Sequence, residues 1–236
     1  MTEPALSLAF FDPASGLHGT ARAGMTLLFE GSSATTLPEG PEMRPEPGGG
    51  CRARLEGRLE LDFEPVCEPV ALGDVRATVC RVGGSALGRR IDCLGTMSET
   101  AQPPAWEELE AIRSVSALFD TQNAVLALAR RPRGAEGHGA ELVAAHLLTG
   151  GEPRAVEDAR ISTVYDGDGR QRSAGLELWL PGEDFPRRAS GTVIGGASLA
   201  FDGLDVHAAV FRWRMEGREG AGAYELAVRS GPRAAA

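Results

Sequence analysis

"FRWRMEGREGAGAYEL", Phe211–Leu226, reads as strand, tight turn, strand. It sets Trp213 and Tyr224 on either side of a Gly-rich reversal, in a chain with only 3 Trp and 2 Tyr. Such rings serve either the cross-strand packing of a hairpin or the rim of a binding site. With a turn around Glu216–Gly220, Trp213 and Tyr224 would approach each other across the strands. Neighbouring strand residues face opposite ways, so Tyr224 and Glu225 cannot both point inward without a bulge. The expectation is an inward Tyr224, with Glu225 outside and paired to Arg212 or Arg214.

The rest of the chain follows the same grammar. Period-2 segments such as "LSLAFF", "CRARLEGRLELDF", "VRATVCRV", "ARISTVYD" and "GLELWL" alternate with Gly, Pro, Asp and Asn. Strands of this length and spacing define an all-β protein of antiparallel barrels or sandwiches. The stretch 36–51, "TLPEGPEMRPEPGGGC", is too rich in Pro and Gly to pair and reads as a long loop. Residues 103–114, "PPAWEELEAIRS", carry the one helical signature, Pro near the start and Glu in the first turn, and read as a short helix or a linker.

The two halves echo each other. "AFFDPASGLHGTAR" (9–22) aligns without a gap to "ALFDTQNAVLALAR" (117–130). "LEL" at 59–61 matches 176–178, and "VCR" at 79–81 matches "VFR" at 210–212. The matches keep their order, which predicts a duplicated β domain: residues 1–100, a linker or short helix at 101–114, and residues 115–236. The hairpin "CRVGGSALGRRIDCLG" (80–95) then stands opposite the opening stretch, Asp92 opposite Glu225. The competing architecture is a single large β sandwich.

Composition excludes several functions. The net charge is −9, against the basic surface that sequence-independent nucleic-acid binding requires. All 24 basic residues are arginine, so Schiff-base, P-loop and general-base lysine chemistry are out. The start, "MTEPALSLAFF", has no basic n-region or long apolar h-region, and no run of apolar residues has transmembrane length; a cytoplasmic protein is expected. Cys51, Cys67, Cys80 and Cys93 form no C-x-x-C and have no nearby His, so free thiols are expected, with no metal and no cofactor. "YDGDGR" (165–170) starts like a calcium loop but lacks the later glutamate, and a D-G hairpin turn is preferred.

The stretch "GRRIDCLGTMS" (88–98), together with the closing hairpin, resembles the carotenoid 1,2-hydratase and AttH-like proteins. In that family the first domain often ends in a run like G-x-R-D-H-S-W-G. Arg90 and Gly95 match that run, while Ile91, Asp92, Cys93 and Leu94 occupy the D-H-S-W positions. The resemblance implies two tandem lipocalin-like antiparallel barrels or half-barrels joined by a short crossover. It also implies an apolar small-molecule partner, isoprenoid or lipid-like, with hydratase, isomerase or cyclase chemistry. That chemistry needs a proton donor in a dry pocket and aromatic faces for a developing cation. Asp92, Tyr224 and Glu225 are the catalytic candidates; Trp179, Trp213, Tyr165 and Arg90 are the ligand-binding ones. The alternative is a non-catalytic scaffold with a filled interior.

Overall fold

The computed structural model describes residues 5–135, 138–201 and 203–230. It is nearly all strand. The first sheet contains β1 (Ala5–Asp12), β2 (Leu17–Arg22), β3 (Met25–Glu30), β4 (Ser33–Leu37), β5 (Glu42–Glu46), β6 (Gly50–Leu55), β7 (Leu59–Pro65), β8 (Val70–Leu72), β9 (Val75–Ala86) and β10 (Arg89–Thr100). The second contains β11 (Leu109–Asp120), β12 (Asn123–Pro132), β13 (Leu142–Thr149), β14 (Glu152–Ala155), β15 (Asp158–Tyr165), β16 (Gln171–Trp179), β17 (Arg187–Phe201), β18 (Leu204–Met215) and β19 (Arg218–Arg229).

The first sheet runs β4-β3-β2-β1-β10-β9-β7-β6-β5, with the short β8 on β9; the second runs β14-β13-β12-β11-β19-β18-β17-β16-β15. With β8 set aside, the two orders are the same. In each sheet successive strands are hairpin neighbours except at one step, β4 to β5 and β14 to β15, where the chain passes between the two sheet edges. Such an order curls an antiparallel sheet into a half-barrel with one open seam, and the protein is a tandem pair of these lipocalin-like units.

Side-chain alternation builds three cores from the two sheets. Leu8 and Phe10 of β1 point into the first half-barrel with Leu61, Phe63 and Val82. Ala9 and Phe11 of the same strand point the other way, against Leu126, Leu128 and Val210 of the second sheet. On β18, Ala209, Phe211 and Trp213 line the second half-barrel, while Ala208 and Val210 face the first. Contact between the units is thus a packed apolar layer. Polar ties border it: Arg22 donates to Glu225 at 2.5 Å, and Arg130 pairs with Asp74.

Several sequence expectations need correction. Residues 103–108 carry no helix, and Leu109–Ser114 belong to β11. The Pro and Glu cues mimic a helix start, but "LEAIRSV" alternates with period 2. The stretch 36–51 is not wholly loop either: β5 pairs with β6, and Pro45 is accommodated because β5 is an edge strand. Of the three internal matches, "VCR" and "VFR" fall on equivalent strands, β9 and β18. "LEL" does not, since residues 59–61 are in β7 and 176–178 in β16. The gapless match holds through Asp12 and Asp120, whose carboxylates both accept turn amides. It breaks in the turn, which is longer after Asp12. Nor are Asp92 and Glu225 equivalent: Glu225 pairs with Ser114 of β11, as Glu99 pairs with Leu6 of β1.

In the opening hairpin the turn is tighter than expected. Met215 pairs with Arg218, leaving Glu216 and Gly217 as the two turn residues, both at positive φ (50° and 77°). This is the primed turn that matches strand twist. Leu87 and Gly88 repeat it in the first half, at 50° and 73°.

All four cysteines are free thiols. Burial pushes Cys80 and Cys93 up to about 12 from 9.0, and Tyr224 up to about 12 from 10.0. Each raised group favours the folded state while protonated, so its contribution is complete below the unfolded pKa and is lost as pH rises through the folded one. The urea midpoint is therefore expected to hold steady below pH 9 and fall between pH 9 and 12. Cys80→Ala should flatten the early part of that fall; an unchanged profile in this variant would show that the thiol is solvated. No helix among the described residues is long and apolar enough to cross a membrane.

Candidate functional site

The second half-barrel contains a charged pair in its interior. Arg113 occupies an inward position of β11, between Ala111 and Val115, and its side chain is 2% exposed. It forms an ion pair with Glu141, which precedes β13 and is equally buried. Arg113 Nη1 also donates to the Ile161 carbonyl at 3.0 Å, to Thr163 Oγ1 at 3.3 Å and to Tyr224 Oη at 3.3 Å. Thr163 Oγ1 and Tyr224 Oη lie 2.6 Å apart. Desolvation keeps the Tyr224 phenol protonated, with the Arg113 charge opposing that shift. The Arg113 Nε has no hydrogen-bond partner among the described residues.

Two cavities converge on this pair. One, of about 320 Å³, is lined by Ala111, Arg113, Arg131, Glu141, Tyr165, Gly169, Leu226 and Val228. Its strand residues share the inward parity of their strands, so it is the mouth of the half-barrel. The other, about 840 Å³, also touches Arg113 and Glu141. Ala159, Ile161, Leu176 and Ala189 border it from the inner face of β15–β17, while Ser162, Glu177, Arg188 and Ser190 belong to the outer face. Alternate strand positions cannot line one enclosed space, so only the inner part of this volume adjoins the pair. The first half-barrel is filled more tightly; a void among Leu8, Phe10, Leu61 and Phe63 has about 10 Å³.

Beside the mouth, Ser198 Oγ lies 2.7 Å from His207 Nδ1, and Arg170 Nε donates to that hydroxyl at 3.2 Å. His207 is paired in register with Leu226, a mouth residue. Asp166 of the 165–170 turn accepts from the amides of Asp168 and Arg170, which holds its carboxyl below the usual range. The acidic run thus closes a hairpin, and Gly169 borders the mouth.

The residues singled out from the sequence scatter. Tyr165 lines the mouth, and Tyr224 lies one hydrogen bond behind it. Trp213 is fully buried, stacked on Phe211 with ring centroids 5.4 Å apart; Phe211 in turn meets Tyr224 at 5.5 Å. Trp213 and Tyr224 are thus bridged by Phe211 rather than paired. Trp179 lies on the outer face of β16, with the Arg160 guanidinium 5.0 Å from its ring. Arg90 and Asp92 are exposed on β10, in the first unit, and line neither cavity. Glu225 points out of the barrel, as expected, but its partner is Arg22 of the first unit; Arg214 pairs with Glu219. The sequence reading missed Arg113, Arg131, Glu141 and Thr163. A signal existed for Arg113, a charge at an inward position of an alternating strand, but it was hidden by the helical reading of 103–114.

No protein-family model and no curated protein matches the sequence. Solved structures do. An AttH-like protein from Nitrosomonas europaea superposes with a TM-score of 0.60 at 13% identity, over 94% of this chain and 91% of that one. Kievitone hydratase from Nectria haematococca gives 0.60 at 9% identity, over 97% of this chain and 89% of its own. At such identities the likeness is one of fold, and it spans both half-barrels.

Proposed function

We propose that the protein binds a hydrophobic small molecule, isoprenoid or lipid-like, in the mouth of the second half-barrel. The observation that carries this reading is the convergence of two cavities on the Arg113–Glu141 pair. A buried ion pair seldom stabilises a fold more than the apolar residues that would replace it. A polar floor beneath apolar walls is instead the usual composition of a small-molecule site. The inert-scaffold alternative fits the tightly filled first unit better than the second.

The proposal extends to hydratase, isomerase or cyclase chemistry, supported by the fold shared with a hydratase and by the groups at the floor. The acid–base role moves from Asp92 and Glu225 to Glu141. Its carboxyl group, at the floor of the mouth beside Arg113, is the acid–base group placed to exchange a proton with a bound substrate or water. Tyr224 orients Arg113 and Thr163 from behind. Free thiols throughout fit a reducing compartment, the cytoplasm.

Filling the mouth tests the binding reading. Ala111→Phe places a ring in the cavity from a buried strand position. Nile red, a neutral apolar dye, is expected to bind the parent protein and to bind the variant about tenfold more weakly or worse, with the circular-dichroism spectrum unchanged. Equal dye affinity in a folded variant would place binding elsewhere.

A further inference from the structure

We infer that the ligand of the second half-barrel carries a carboxylate, which Arg131 holds at the mouth; this rests on the binding reading above. Arg131 follows Ala127 and Ala129 at the inward positions of β12 and lines the 320 Å³ cavity. Its Nε is buried without a hydrogen-bond partner, and no carboxylate lies within ion-pair distance of it among the described residues. Its neighbour Arg130 faces the other way and pairs with Asp74. Arg113, 2% exposed, contributes a second unpartnered Nε on the same cavity.

Among the described residues that line the mouth, two guanidinium groups, Arg113 and Arg131, stand with one carboxylate, Glu141, in a chain whose net charge is −9. Glu141 is committed to Arg113. A half-buried cation with an idle donor costs free energy unless a partner arrives. The planar fork of arginine matches a carboxylate better than it matches a hydroxyl or an ester. Leu226, Val228 and Tyr165 supply the wall for the apolar part of the same molecule.

A dansyl-labelled undecanoic acid and its methyl ester separate the possibilities. The parent protein is expected to bind the acid about tenfold or more tightly than the ester, the size of one charge-assisted hydrogen bond. Arg131→Gln and Arg131→Met should each bring that ratio close to one, by weakening the acid far more than the ester. Raising the salt should narrow the ratio in the parent protein only, because the mouth is partly open to solvent. If acid and ester bind the parent protein equally, the carboxylate inference fails and the binding reading stands. If neither binds, both fail. A ratio that survives in the two folded Arg131 variants would overturn the assignment to this residue.

Discussion

Glu141→Ala should destabilise the protein by about 3–5 kcal/mol, because it strands the Arg113 guanidinium in the interior of the second half-barrel. Both side chains of the pair are 2% exposed, so the guanidinium left behind is held away from bulk water without its counter-charge. A loss of that size is a large part of a typical domain's stability. The double variant Arg113→Met, Glu141→Leu removes both charges and fills the space with apolar atoms. It should recover most of the loss, since apolar replacements of buried pairs are commonly neutral or better. Urea midpoints of the parent and the two variants form the test. A single-variant loss below about 1 kcal/mol would mean a solvated pair, as on an ordinary surface. Dye and carboxylate binding in the double variant then separates function from stability: a fold restored without binding is the expected result.

The contrast between that site and its surroundings shows where sequence reading succeeds. Alternation places Phe211 and Trp213 inward and Glu225 outward, because strand geometry has a period of two wherever one face is buried. Repetition of "FD" and of the closing hairpin carries the duplication, since each pair of segments occupies equivalent strands. Local cues fail where they compete with the sheet. Pro and Glu before Leu109 imitate a helix start, yet tertiary pairing of β11 with β12 and β19 overrides that propensity. The site itself joins Arg113, Glu141, Thr163 and Arg131 from four separate segments. Their meeting depends on how tightly the sheet curls, and no local pattern encodes that curvature. Asp92 attracts notice just after its hairpin turn, but its parity with the outward residues of β10 puts it in solvent.

The glycines of the opening stretch complete its explanation and lead to a second large effect. Trp213 pairs with Gly220 on β19 and with Gly191 on β17, so its ring is flanked by residues without side chains. A Cβ added at Gly191 would lie 2.6 Å from the Trp213 ring, and one at Gly222 would lie within the Ser116 carbonyl of β11. Gly191 makes room for an indole that packs on Phe211, which packs on Tyr224, which holds Arg113, while Gly220 and Gly222 let β19 approach the β11 backbone. Trp213→Ala should therefore cost about 3–5 kcal/mol through the cavity it leaves. Trp179→Ala, on the outer face beneath the Arg160 guanidinium, should cost about 1 kcal/mol or less. Trp213→Phe keeps an aromatic ring in the stack and should retain dye binding despite lower stability. If Trp213→Phe abolishes binding while the fold persists, the indole itself belongs to the site. Equal losses for Trp213→Ala and Trp179→Ala would show that the aromatic column is not what supports the Arg113 floor.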